Sequence, residues 1–158
     1  MIRSAVVTDV PVLHAMIREL AEYEKVPHEA RATEEQLREA LFGERPAVFA
    51  HVARAQDGEV VGFAMWFLSF STWRGVHGIY LEDLYVRPGV RGAGHGKALL
   101  RELARLCVER GYERLEWSVL DWNAPAIDFY RSVGAVSMDG WTVNRLTDGA
   151  LRKLGGAP

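Results

Sequence analysis

Apolar residues along the chain change their period several times, and each change marks an element. Residues 2–7 read as a short strand. Thr8 and Asp9 then offer N-cap oxygens, and Pro11 is tolerated in the first helical turn. Val10, Leu13, Ile17 and Leu20 recur at spacings of three, four and three, which is one face of a helix that stops before Pro27. Thr33 and Gln36 form a capping box for a second, shorter helix that Gly43 ends. Residues 47–55 and 60–70 are strand-like, and Asp57-Gly58 between them signals a hairpin. Residues 79–86 alternate and are rich in β-formers until Arg87-Pro88-Gly89 stops them. A helix follows over 94–110, apolar at Leu99, Leu103 and Leu106 and closed by Gly111. Residues 115–120 read as a strand. Asn123 caps a helix with Pro125 in its first turn, running to about Arg131, and 134–145 are expected to hold one or two more strands. The order is β-α-α-β-β-β-α-β-α-β-β, with antiparallel hairpins early and a helical crossover later. It predicts an α/β fold, a mixed sheet covered by helices.

Composition narrows the class. The 158 residues suit one domain, with neither repeat nor linker to divide them, and 49% hydrophobic against 25% charged residues describes an ordinary globular core. A net charge of -2 gives no electrostatic case for a nucleic-acid partner. No apolar run approaches the roughly 20 residues needed to span a bilayer, and no secretory start is visible, so a cytoplasmic protein without a membrane partner is expected. Cys107 is the only cysteine, which excludes an internal disulfide; placed beside Leu103 and Leu106, it reads as core filler rather than a nucleophile. The five histidines stand at 14, 28, 51, 77 and 95, with no pair at metal-ligand spacing, so no metal site is expected.

The chemistry concentrates in Arg91-Gly92-Ala93-Gly94-His95-Gly96-Lys97, between a strand and a helix. Closely spaced glycines let backbone N–H groups approach a ligand, and the helix behind them begins with unpaired donors and the positive end of its dipole. Together these make a phosphate cradle. Arg91 and Lys97 add charge, while His95 reads as exposed. A Walker A loop is excluded, because Arg91 stands where its first Gly belongs and Ala98 where its hydroxyl belongs. The dinucleotide fingerprint fails too: it needs a glycine at Lys97 or at Leu99.

Arg91-x-x-Gly94-x-Gly96 resembles the pyrophosphate loop of the GNAT acetyltransferases. Downstream, Asn123-Ala-Pro-Ala126-x-x-Phe129-Tyr130-x-x-x-Gly134-Ala135 resembles that family's second coenzyme A segment. The opening strand and helix agree as well, so the resemblance covers nearly the whole chain. Within the family, Leu20-Ala-Glu-Tyr-Glu24, Val61-Gly62-Phe63-Ala64-Met65, Tyr80-Leu81-Glu82-Asp83 and Trp122-Asn123 are similar to the diamine acetyltransferases, the spermidine/spermine and thialysine group.

That resemblance implies a GNAT fold, with a mostly antiparallel sheet of about six to seven strands and about four helices, in a single domain over residues 1–158. It implies acetyl-CoA as donor, a small-molecule amine as acceptor and a homodimer. Coenzyme contacts would fall on Leu84, Tyr85 and Val86, on Arg91, Gly92, Ala93, Gly94, His95, Gly96 and Lys97, and on Asn123, Ala124, Pro125 and Ala126. Substrate contacts would fall on Tyr23, Glu24, Glu82, Asp83, Glu116, Trp117 and Ser118, with Tyr130 and Glu82 catalytic. Polyamine-specific members carry an acidic residue where this chain has Thr72, which weakens the case for long polyamines. Two other readings share the fold: a non-catalytic acetyl-CoA sensor, and a protein or peptide N-acetyltransferase.

The chemistry sets its own demands. An alkyl ammonium has a pKa near 10.4, so only about one molecule in two thousand is a free amine at neutral pH. Glu82 is the candidate base, directly or through a water, and partial burial would improve its match. Asp83 follows on the same strand and should point to the opposite face unless a bulge intervenes, leaving it as a charge partner for the substrate. A bulge near Leu84 or Tyr85 would also free a backbone N–H for the oxyanion. Tyr130 would protonate or hydrogen-bond the departing thiolate. Trp66, Phe67, Phe70 and Trp73 crowd a strand end and suit core or dimer packing.

Overall fold

The computed structural model describes residues 1–157. Among them are five strands: β1 (Ile2–Ser4), β2 (Phe49–Arg54), β3 (Val60–Ser71), β4 (Val76–Val86) and β5 (Leu115–Glu116). Five α-helices accompany them: α1 (Val10–Tyr23), α2 (Glu34–Phe42), α3 (His95–Arg110), α4 (Ala124–Ser132) and α5 (Asp148–Leu154). The strands lie in chain order in one sheet, antiparallel from β1 to β4 and parallel between β4 and β5, with α3 as the crossover. This is the expected mixed α/β class, with fewer strands than six and one more helix than four.

Both faces of the sheet are covered. Leu13, Met16 and Leu20 of α1, with Leu37 and Leu41 of α2, pack on Ala50, Val52, Phe63, Met65 and Tyr85. Phe63, Leu13 and Met16 expose no surface, and each such side chain contributes about 1.5–3 kcal/mol. On the opposite face His51 and Trp66 lie under α3, where Leu99, Leu103 and Cys107 are buried. The Arg110 guanidinium sits 5.8 Å from the Trp66 ring. Trp66 Nε1–H donates to His51 Nδ1 at 3.1 Å, and burial lowers the pKa of that imidazole.

Asp9 does not cap α1 with its side chain. Its carboxylate instead takes a forked pair from Arg3, at 2.6 and 2.9 Å, and a bond from the Val6 N–H at 2.8 Å. Burial opposes its charge, but the Arg3 and Val6 hydrogen bonds outweigh it and hold the carboxyl below its usual range. Breaking a buried pair strands the other charge, so Asp9→Asn should cost about 2–3 kcal/mol in urea unfolding at pH 7, Arg3 keeping some water. Because the folded pKa is lowered, that stability is present above the unfolded value near 3.9 and is lost as pH falls through the folded one. Identical midpoints for the two proteins would show the pair to be idle.

Two irregularities of β4 position the site. Among the described residues β5 pairs with it only at Ile79↔Leu115 and Tyr80↔Glu116, and no strand pairs with residues 81–86 on that side. On its other side the register passes from Trp66↔Leu81 to Met65↔Asp83, leaving Glu82 as the extra residue of a β-bulge. Opposed residues share a face, so Asp83 joins Met65 and Tyr85 toward α1. Regular alternation from Tyr80 would have put Glu82 there.

The chain divides into two compact units, Met1–Ser118 and a second beginning at Val119. In the second, Asn123 Oδ1 accepts from the Ala126 N–H at 3.3 Å and opens α4 as its sequence foretells. The strands expected over 134–145 are absent among the described residues, and the strand expected over 115–120 stops at Glu116. Val136, Trp141 and Val143 are 81, 72 and 82% exposed. Alternation predicts a strand only where one face is buried against something, and here none is.

Candidate functional site

The glycine turn leaves β4 at Val86, passes a 3-10 turn at Pro88–Val90 and enters α3 at His95. Gly92 and Gly94 have φ of +90° and +83°, in the left-handed region that favours glycine. A Cβ at either would meet no protein atom within 4 Å, so both face open space. Gly94 is the N-cap and brings no side chain, so no side-chain bond closes the first turn of α3. Uncapped N–H donors and the helix dipole favour an anion, and exposed Arg91 and Lys97 reinforce them. His95 is half-buried rather than exposed. These residues fit the diphosphate of coenzyme A.

Arg91 also ties the turn to α1. Its Nε donates to the Val86 carbonyl at 2.9 Å, and its guanidinium lies 5.0 Å from the Tyr23 ring and 5.8 Å from Tyr85. Tyr23 is the last residue of α1, so Glu24 just beyond it stands on the same side of β4 as Asp83. Burial raises the pKa of Glu24. Asp83 is pushed up to about 7, first by burial and then by the charges of Glu82 and Glu24. Glu82, at the bulge, is exposed.

Across the opening, β5 carries Glu116 beside Tyr80, and the Tyr80 hydroxyl lies 2.8 Å from Ser118 Oγ. Tyr23, Glu24, Asp83 and Arg91 are thus gathered around one end of β4, with Glu82 in the same strand. Cys107 is buried, its Sγ 3.6 Å from the Arg114 carbonyl, and burial pushes the thiol up, which suits packing and not attack.

Residues 13–135 match the acetyltransferase (GNAT) family profile, a stretch that crosses the boundary between the two units. The chain belongs to the acetyltransferase (GNAT) family. The thialysine N-epsilon-acetyltransferase of Bos taurus is 40% identical over 166 aligned positions, covering 99% of this chain and 97% of the relative. The L-ornithine N5-acetyltransferase of Arabidopsis thaliana is 32% identical, covering 97% and 86%. An integron cassette protein from the mobile metagenome of V. cholerae superposes with a TM-score of 0.83 at 28% identity, covering 99% and 98% of the two chains. The protein is an acetyl-CoA-dependent N-acetyltransferase, and bound acetyl-CoA supplies an acetyl group activated as a thioester.

In this GNAT chain the second expected segment forms α4. Asn123 is buried and spends its carbonyl on the helix start, so capping is the role its geometry displays. Tyr130, half-buried, packs beside Phe129 with ring centroids 5.4 Å apart. Tyr85, expected as a coenzyme contact, turns its ring toward α1, where the hydroxyl donates to Glu19 Oε2 at 3.0 Å. Arg87 binds the same Glu19 at 3.0 Å and Glu59 at 3.0 Å. Sequence reading missed Glu19 and Arg87, since no local pattern joins residues this far apart.

Proposed function

We propose that this acetyltransferase acetylates the terminal primary amine of a compact amino-acid-like molecule or diamine. The observation that carries the reading is the meeting, at the open end of β4, of an uncapped glycine turn for an anionic donor with carboxylates for a cationic acceptor. Relatives named for the N-epsilon of thialysine and the N5 of ornithine support a substrate with a terminal alkyl ammonium on a short chain. Thr72, where polyamine-specific members place an acid, supports a short acceptor over a long polyamine.

Within this reading, Gly92, Ala93, Gly94, His95, Gly96 and Lys97 offer main-chain amides to the diphosphate. The unpaired edge of β4, at Leu84, Tyr85 and Val86, offers main-chain groups to the rest of the coenzyme, with Asn123, Ala124, Pro125 and Ala126 as a second contact. Tyr23, Glu24, Asp83 and Glu116 through Ser118 surround the amine. The resemblance gives proton removal to Glu82 and the sulfur to Tyr130. The family match across both units supports reading them as one domain. A homodimer in the cytoplasm belongs to the same reading, on the family resemblance and the lone buried cysteine.

The test is a screen of thialysine, ornithine, lysine, short diamines, spermidine, spermine and an aminoglycoside with acetyl-CoA, following thiol release. The expected result is a kcat/KM at least tenfold higher for the amino acids or short diamines than for spermine. Preference for spermine, or transfer to none of these amines, would overturn it.

A further inference from the structure

The resemblance assigns proton removal to Glu82, but the strand geometry favours its neighbour. Along a regular β4 the residue two beyond Tyr80 would share its face, and that residue is Glu82. The bulge displaces the pattern by one, so Asp83 takes the place opposite Met65 while Glu82 becomes the unopposed, exposed residue. Tyr80, Asp83 and Tyr85 therefore line the α1 side of the strand, and Asp83 and Tyr85 lie beyond Tyr80, the last residue that β5 pairs.

We propose that Asp83, brought to this face by the bulge at Glu82, is the carboxylate that removes the proton from the substrate ammonium. Glu82 and Glu24 act on it as flanking charges: they attract the ammonium and disfavour a third negative charge between them. The assignment rests on the acetyl-transfer reading and deepens it.

The step balances without any further reactant. One N–H bond of the ammonium breaks, its electron pair stays on nitrogen and becomes the nucleophile, and the proton forms an O–H bond on Asp83. After transfer the amide nitrogen has lost a second proton, which leaves with the thiol product. Asp83 then releases its proton to water, so ammonium and thioester give amide, thiol and one proton.

The electrostatic surroundings make the residue suitable. The charged groups acting on it are Glu82 in its own strand and Glu24 at the end of α1, both carboxylates; Met65, opposite on β3, brings none. Burial and those charges raise its pKa from 3.8 to about 7. Against an ammonium near 10.4, that rise improves the proton-transfer equilibrium by about three powers of ten.

The experiment compares Asp83→Asn and Glu82→Gln with the native protein in three measurements. In pH profiles of kcat with thialysine, the native acidic limb should have an apparent pKa near 7. Asp83→Asn should lower kcat at least 100-fold and abolish that limb. Glu82→Gln should lower kcat less than tenfold and move the limb to lower pH, one repelling charge having gone. Acetyl-CoA affinity by calorimetry should stay within threefold in both, which shows that each variant is folded.

The third measurement needs no turnover. In protein labelled with 13C at aspartate carboxyls, one signal should titrate near 7 and be absent from Asp83→Asn. Failure of every amine in the screen would thus be a separate result from failure of this assignment. Loss of the acidic limb in Glu82→Gln with its retention in Asp83→Asn would overturn the proposal, as would the absence of that carboxyl signal.

Discussion

Replacing Gly94 by alanine should weaken acetyl-CoA binding about 100-fold while costing the fold only about 1–2 kcal/mol. The two effects have different origins. Gly94 holds φ at +83°, where an L-residue is strained, and this sets the cost to stability. Beyond the adjoining backbone no protein atom lies within 4 Å of the added Cβ, so the backbone conformation alone resists it in the free enzyme. In the proposed reading, the methyl would stand at the N-cap of α3, where the diphosphate approaches the first-turn amides. A charge-assisted hydrogen bond contributes about 1.5–3 kcal/mol, so displacing the diphosphate from one or two of them accounts for two powers of ten. Gly89→Ala is the control. Gly89 also faces open space but lies in the 3-10 turn at Pro88–Val90, ahead of Gly92 and Gly94, and has no positive φ, so its substitution should leave affinity within threefold. Calorimetric titration with acetyl-CoA decides it, and native affinity in Gly94→Ala would remove the turn from coenzyme binding.

The same turn explains why much of the site was legible in the sequence. A backbone that needs positive φ and an open approach must be written with glycine, and the requirement is local, so Gly92 and Gly94 announce themselves. The capping box is equally local: Thr33 Oγ1 accepts from the Gln36 N–H at 3.1 Å, as its spacing implies. The bulge at Glu82 was not legible at that position. It is a mismatch between two strands, visible only when Met65 and Trp66 are laid against Leu81 and Asp83. Its effect is large in proportion, since one extra residue puts Asp83, in place of Glu82, opposite Met65 on the α1 face.

Asp9 illustrates the other kind of miss. A Thr-Asp pair before an apolar helical run is the right chemistry for an N-cap, yet Arg3, six positions earlier, offers a stronger partner. The C-terminal region failed in both directions. Residues 134–145 carry apolar residues at strand-like spacing and bury none of the largest. α5 was not foreseen, although Thr147 and the three-residue spacing of Leu151 and Leu154 were available to suggest it.

Tyr130→Phe is expected to reduce kcat between 10- and 100-fold and to leave acetyl-CoA affinity within twofold. The aromatic ring is the same in either residue, and its packing beside Phe129 is retained. What is lost is one O–H donor. Full proton transfer from a phenol near pKa 10 to a thiolate near 8.5 is uphill by about 2 kcal/mol, so much of the benefit would come from a hydrogen bond to the developing negative charge. That bond exists only as the sulfur departs, so kcat and kcat/KM should fall together while ground-state affinity does not. A hydroxyl that must stay protonated also predicts an alkaline decline of kcat, absent in Tyr130→Phe, whereas an inert packing residue would leave both profiles superimposed. Unchanged turnover would place the sulfur's proton elsewhere.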